Sequence, residues 1–387
     1  MAFPQKAAAV VGVYTTEQAR GMERSMWSLE LEAIKGALDD AGLSHTQVDG
    51  LIPMAYETPL NLHMAWAEQL GGRPITYMDV GNGSSAVAKA TNAIAAGMAN
   101  VVVIYFANCN NPNGPRQLKV QSKAPRVPDW QFMVHGAYMS VWYAMWTQLY
   151  MHEFGTDQEV FAEYPVQMRA NAMLKPDSMM GHKGPITVED VLSSRMIATP
   201  LHLLECPLDN DGGYAIVVAS AEIARDCKKD PVWVLGGAEA TFTDAYMTIP
   251  VPWNEPKGQA VRRCTEMAFD MAGVTHDEID VAGLYDCYAV TVARDLEEMG
   301  FCKLGEGADY MKEGHLYRGG KMPTNTDGGL MANSHNGNPS GMHTIEVVRQ
   351  LRGECGERQL DDPKIGVTLA QGWSVHGLAG TLVMAAD

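Results

Sequence analysis

The sequence predicts an α/β fold assembled from two related halves, and three observations carry that expectation. A thirteen-residue stretch, Ala37-Leu-Asp-Asp-Ala-Gly-Leu-Ser-His-Thr-Gln-Val-Asp49, recurs as Ala268-Phe-Asp-Met-Ala-Gly-Val-Thr-His-Asp-Glu-Ile-Asp280. Short apolar runs alternate with segments of helical periodicity, the order of an α/β protein. The 387 residues also exceed the roughly 250–300 at which a single core stops growing. Two copies so far apart mark a duplicated domain, because solenoid repeats have periods of roughly 20–50 residues.

The elements follow in order. Ala7 to Tyr14 reads as a first buried strand and Leu29 to Ala41 as the helix after it. Each copy of the repeat ends a helix at Ala-Gly, where Gly42 or Gly273 supplies a left-handed residue. Ser44 or Thr275, a capping residue type, then starts a new turn, and an apolar segment of strand character follows. The helix Ser84 to Ala96 closes at Gly97 and leads into Val101 to Phe106, a continuous apolar run that implies a parallel sheet covered on both faces. Asn108 to Trp130 is loop-like. Met133 to Met151 carries methionines at helical spacing, as a core helix or subunit interface would. Residues 151 to 205 read as helical insertions, and strands return at Asp211 to Ala219 and after Pro231. A helix over 258–272, a strand over 280–285, helices Ala289 to Gly300 and Thr344 to Leu351, and strands Ile365 to Ala370 and Leu378 to Ala386 complete the second half. The boundary is expected near residue 225, giving an N-terminal half 1–225, with a helical loop insertion at about 108–205, and a C-terminal half 226–387.

A net charge of −17 and the lack of long Lys/Arg runs disfavour a nucleic-acid partner. No apolar run reaches the roughly 18 residues of a membrane span, and Met1-Ala-Phe-Pro lacks the layout of a secretion signal, so the expected location is cytoplasmic. The seven cysteines are odd in number and form no C-x-x-C pair, which argues against a disulfide framework and a zinc site.

In α/β sheets ligands bind beyond the carboxyl ends of strands, where turns aim backbone N–H groups outward. Four such places are visible: Asp79-Val-Gly-Asn-Gly-Ser-Ser85, Leu284-Tyr-Asp-Cys-Tyr288, Gly328 to Gly341, and Ala370-Gln-Gly-Trp-Ser-Val-His-Gly377. Together these segments, with GGKMPTNTDGGL and IEVVRQLRGECGERQ in the C-terminal third, resemble the thiolase superfamily, in its sterol-carrier-protein-2-type branch. The resemblance runs nearly end to end. It implies a duplicated thiolase fold, five-layered α-β-α-β-α with two mixed sheets, and a homodimer with the strand near 101–106 pairing across the two-fold axis. It also implies a CoA thioester as substrate, with no tightly bound cofactor and no metal.

Family members attack the thioester with a cysteine at the start of the first-half helix. By the family's spacing that position is Val80, and a valine cannot hold an acyl group between half-reactions. Gly372 keeps the glycine whose N–H donates to the thioester oxygen in the family. The histidine loop reads Ser334-His-Asn-Gly-Asn-Pro-Ser-Gly341 and keeps His335, and the N/H-D/E-A-F motif reads Tyr285-Asp-Cys-Tyr288. Relatives with tyrosine there and no nucleophilic cysteine include retro-aldolases of steroid side-chain degradation, which work with a small partner carrying an OB-fold and a zinc ribbon. Those enzymes carry tyrosine where this chain has His335.

Retro-aldol cleavage of a β-hydroxyacyl-CoA needs a base, donors for an enolate and an acid, but no covalent intermediate. Tyr285 and His335 are expected to divide the base and acid roles, and Gly372 N–H with amides of Gly81, Asn82 and Gly83 to hold the enolate oxygen. Tyr285 equally fits a ring capping the core. Tyr288 and His376 fit either catalysis or pocket lining, and Asp286 is expected to hold backbone or a neighbouring side chain. Ser84 and Ser85 fit helix capping better than nucleophilic attack. Two alternatives stand beside the lyase: a thiolase or acetyl-CoA acyltransferase with a non-standard nucleophile at Ser84, Cys109 or Cys287, and a non-catalytic lipid-binding or scaffold subunit.

Overall fold

The computed structural model describes residues 3–54, 60–109, 139–241, 260–337, 339–372 and 378–387. The N-terminal elements are β1 (Ala8–Thr15), α1 (Met26–Ala41), β2 (Gly50–Pro53), α2 (Leu60–Gln69), β3 (Tyr77–Met78), α3 (Gly83–Ala95) and β4 (Val101–Asn108). Helices α4 (Met139–Phe154), α5 (Gln158–Met173) and α6 (Val188–Ser193) come next. The strands β5 (Met196–Ala198) and β6 (Leu201–His202) then precede β7 (Gly212–Ser220) and the short α7 (Ala221–Ala224). The C-terminal elements are β8 (Val232–Thr241), α8 (Ala260–Ala272), β9 (Val281–Leu284), α9 (Ala289–Met299), α10 (Gly307–Lys312), α11 (Ser340–Leu351), β10 (Ile365–Gly372) and β11 (Leu378–Ala385).

The two copies of the repeat fold alike, and the reason is local. Gly42 after α1 has φ +73° and Gly273 after α8 has φ +70°, a left-handed conformation that costs glycine no Cβ clash. Ser44 and Thr275 each head a one-turn 3₁₀ helix closed by a reciprocal capping box with Gln47 and Glu278. The last aspartate of each copy then pins a later strand. Asp49 accepts the N–H groups of Asn100 and Val101 at the start of β4, and Asp280 those of Lys364 and Ile365 at the start of β10.

Side-chain alternation along the strands sorts the core into layers. Odd residues of β1, β4 and β7, such as Val11, Val103 and Val217, pack against Ala33, Ile34, Ala37 and Leu38 of α1. Their even neighbours, Val10, Ile104 and Val218, share a second core with Val87 and Ile94 of α3, Ile345 and Val348 of α11, and Val234 and Leu382 of the C-terminal strands. The far face of those strands, with Leu284, Val367 and Val383, packs on α8 and α9. The resulting layers are α1, N-terminal strands, α3 with α11, C-terminal strands, and α8 with α9, which is the five-layered arrangement expected.

The strands differ from expectation in several respects. The two mixed sheets are joined edge to edge into one nine-stranded sheet, β3-β2-β4-β7-β1-β8-β11-β10-β9, through the short antiparallel contact of Ala9 with Trp233 and Val10 with Val232. A wholly parallel arrangement does not hold either: β2 runs parallel to β4, and β9 to β10, but β7 and β11 insert antiparallel. A continuous apolar run reports helix cover on both faces, which antiparallel central strands can have as well. Finally, β4 lies between β2 and β7 with both edges hydrogen-bonded, so it cannot pair with a strand of a second copy as the resemblance implied. Within 151–205, read as wholly helical, β5 and β6 form a small antiparallel pair.

Helix α9 is buried along its whole length, its charged residues included. Arg294 donates to Glu297 and Glu298, Glu298 also pairs with Arg262 at 2.9 Å, and Glu297 accepts from Tyr150 of α4 and from the N–H groups of Gly305 and Gly307. Removing one member of a buried charged set leaves the others uncompensated. The Arg294→Met variant should therefore lose about 3–5 kcal/mol of stability, read as a lower midpoint in denaturant unfolding.

Candidate active site

Three segments far apart in sequence meet at the head of α3. A Cβ placed on Gly83, the first helical residue, would fall 2.3 Å from Ser340 Cβ and 3.0 Å from Ala370 Cβ. Its backbone therefore touches both the start of α11 and the end of β10. Gly83 has φ +35°, so glycine is required there on conformational grounds too. Asn82 N–H donates to Ser85 Oγ, whose hydroxyl donates back to the Asn82 carbonyl. Ser84 is fully buried with its hydroxyl 2.7 Å from that of Thr368. Both serines are thus engaged in holding the helix end. The Asn82 side-chain Nδ2 is buried without a hydrogen-bond partner among the described residues, and Val80, just before the cap, is half-exposed.

The turn after β9 carries Tyr285 to Tyr288. Asp286 is fully buried; its Oδ2 accepts from Tyr164 Oη of α5 and its Oδ1 from Leu330 N–H, both at 3.0 Å. Burial pushes its carboxyl up to about 7, against the hydrogen bonds from Leu330, Tyr164 and Asn325. Asn325 fixes the strand end by accepting Leu284 N–H and donating to Leu284 O and Tyr164 Oη. Tyr285 is half-buried against the core. Tyr288 is buried: its hydroxyl lies 2.8 Å from Ser140 Oγ and its ring stacks on Tyr143 at 4.3 Å.

The π-helical turn Gly329–Asn333 leads to His335, the kind of helix irregularity often found at functional sites. A Cβ on Gly329 would sit 2.0 Å from Asp286 Oδ2, and φ there is +55°. Asp327 closes the turn by accepting Gly329 N–H and Asn333 Nδ2. Beyond it, Ser334 Oγ donates to Gln18 Oε1, and His335 N–H donates to Asn210 Oδ1 at 2.8 Å. Asn210 also lines a cavity of 380 Å³ with Arg20, Gly21, Asp209 and Asp211. The His335 ring is half-buried and makes no hydrogen bond among the described residues. Burial lowers its pKa, more than the neighbouring Asp209 raises it, so the ring is neutral near pH 7.

The thiols considered as nucleophiles are unsuited to attack. Burial pushes Cys287 up to about 12, which keeps it protonated. Cys109 donates to the carbonyls of Met22 and Arg24 at 3.2 and 3.0 Å. Gly372 ends β10, paired with Leu378, whereas His376 lies outside the described residues. No group of three His, Cys, Asp or Glu side chains placed to hold a metal occurs among the described residues, nor any helix long and apolar enough to cross a membrane. Sequence reading missed Tyr164, Asn325 and Asn210, the residues that hold Asp286 and the His335 loop in place. The one available signal was Asn325 within Thr324-Asn-Thr-Asp-Gly328, a composition that favours a left-handed residue, and Asn325 does have φ +49°.

Residues 252–385 match the family model described as thiolase C-terminal domain-like. The chain is 34% identical to a steroid side-chain-cleaving aldolase of Thermomonospora curvata, over 96% of this chain and 97% of that protein. It is also 34% identical to the 17-hydroxy-3-oxo-4-pregnene-20-carboxyl-CoA lyase of Mycobacterium tuberculosis, over 96% and 98%. Among solved structures, a chain of the "Ltp2-ChsH2(DUF35) aldolase" superposes with a TM-score of 0.87 at 31% identity, covering 99% of this chain and 98% of that one.

Proposed function

This chain belongs to the thiolase superfamily, and from that premise we propose that it cleaves a carbon–carbon bond of a β-hydroxyacyl-CoA by a retro-aldol route with no enzyme-bound acyl group. One observation carries the reading: the attack position holds aliphatic Val80 and the nearby hydroxyls of Ser84 and Ser85 are engaged, while His335 presents a neutral imidazole whose ring makes no hydrogen bond among the described residues. In this reading His335 takes the β-hydroxyl proton. The Cα–Cβ bond breaks, leaving a carbonyl product, and its electron pair becomes the enolate of the thioester. Gly372 N–H and the amides of Gly81 and Gly83 stabilise the enolate oxygen, each such donor being worth roughly 2.7–4 kcal/mol in other enzymes; the Asn82 amide, expected to join them, is taken by Ser85 Oγ. Tyr285 then protonates the α-carbon and a shortened acyl-CoA leaves. Asp286 orients the turn, and Tyr288 lines the pocket wall beside Tyr143.

The two relatives are named for steroid substrates, so the pregnene-20-carboxyl-CoA thioester in one of those names is the first compound to assay. We further propose a division of the halves near residue 225, a homodimer, and a small partner of the OB-fold and zinc-ribbon type that the sequence resemblance implies. The paired name of the similar aldolase chain supports that partner. The test is to incubate the protein, alone and with such a partner, with the β-hydroxyacyl-CoA, following the carbonyl product and the protein mass together. Product with no adduct is expected. A stable acyl group on Ser84, Cys109 or Cys287 would instead establish an acyltransferase, and complete inactivity with tight partner binding a scaffold.

A further inference from the structure

His343 lies in the first turn of α11, buried, with neither ring nitrogen hydrogen-bonded among the described residues. Its Nε2 is 3.5 Å from Asp286 Oδ1. The placement is enforced by backbone packing. A Cβ on Gly283 of β9 would lie 2.9 Å from the His343 carbonyl oxygen and 3.0 Å from its Cβ, so only glycine lets α11 come this close, three residues before Asp286. Asp286 in turn reaches Leu330 in the π turn and fills the space beside Gly329.

We propose that His343 is a positioning residue for the cleavage: its Nε2–H faces Asp286 Oδ1 and keeps that carboxylate as the anchor of the turn carrying His335. The kinetic part rests on the function proposed above; the pairing does not. As a carboxylate Asp286 accepts from Tyr164 Oη and Leu330 N–H at the same time. A proton on Oδ1 would oppose the Leu330 N–H, and a proton on Oδ2 would turn the Tyr164 hydroxyl away. Either loosens the Gly329–Asn333 turn directly before Ser334 and His335, which are tied to Gln18 and Asn210.

The sign follows from the groups facing the pair. Burial, with His335 adding to it, holds His343 down to about 3, so the ring is a neutral donor through the working pH range. Glu346, on its own helix, opposes this weakly. Around Asp286 stand Tyr164 from α5, which favours the charged form, and Asp327 ahead of the π turn, which disfavours it. Burial pushes the Asp295 carboxyl of α9 well above the usual carboxylate range, with Glu298 and Asp286 adding to that effect. A donor to the charged form lowers a carboxyl pKa; losing it raises the pKa. Competence is then present above the Asp286 pKa, about 7, and is lost as pH falls through it.

The experiment compares the parent protein, His343→Leu, which keeps bulk without a donor, and His343→Gln, which restores an amide donor. Two readouts are taken: the acid limb of kcat/KM for cleavage, and the infrared band of the protonated Asp286 carboxyl in substrate-free protein, assigned by its loss in Asp286→Asn. Both midpoints should rise by about one pH unit in His343→Leu and return in His343→Gln. An unmoved carboxyl midpoint in His343→Leu would overturn the proposal, and so would failure of His343→Gln to restore it. If the parent protein cleaves nothing, the functional reading falls by itself, and the carboxyl titration still decides the pairing.

Discussion

Replacing His335 with alanine should reduce kcat/KM for cleavage by about 10²–10⁴-fold, the usual worth of a positioned general base, and leave the melting temperature within a degree or two. The two halves of this expectation come from different atoms. The loop is held by the His335 backbone, whose N–H donates to Asn210, and by Ser334 on Gln18; alanine keeps both. The imidazole makes no hydrogen bond among the described residues, so its removal orphans no polar group of theirs. Because burial lowers the His335 pKa, the neutral, proton-accepting form persists below the ordinary imidazole range. On lowering the pH, activity should therefore fail first with Asp286, near 7, and with His335 only at lower pH. Steady-state rates beside a thermal melt test this, and an alanine variant of undiminished rate would remove His335 from the mechanism.

The Val80→Cys variant should acquire, all or none, a chemistry the parent lacks. Incubated with an acyl-CoA it should gain the mass of one acyl group, mapped to position 80, whereas the parent gains none. Val80 is half-exposed immediately before the cap of α3, and unpaired amides at a helix N-terminus favour a thiolate. The Asp79 carboxylate, which accepts Val80 N–H, works against that, so labelling should speed up as pH rises towards 9. An acyl group appearing on the parent protein would show that valine is no barrier to covalent chemistry here.

Much of the fold is legible along the chain because its signals are local. The Gly42 and Gly273 helix stops, the Ser44 and Thr275 caps and the apolar runs of β4, β7 and β11 each act within a few residues. Strand direction is not legible in this way. Val101 to Phe106 reads the same whether its neighbour β7 runs parallel or antiparallel, since both arrangements bury it on two faces. The dimer strand was misplaced for a related reason: apolarity reports burial, and β4 is buried by β2 and β7 of its own chain. The identity of Asp49 with Asp280 was plain in the repeat. Its use, pinning strands that begin far downstream, appears only when the chain is closed up.

The site divides along the same line. Motif order and spacing single out Val80, Tyr285, His335 and Gly372, and the missing nucleophile alone argues against an acyl-enzyme. Which serines are engaged, which thiols stay protonated and what holds Asp286 could not come from spacing. Tyr164, Asn325, Leu330 and His343 reach that carboxylate from four separate segments, and a buried charge takes its pKa from whatever groups and how little water surround it. Chemistry carried by a residue's identity and near neighbours is written in the order of amino acids. Desolvation and hydrogen-bond partners are properties of packing, and they exist only once distant segments have met.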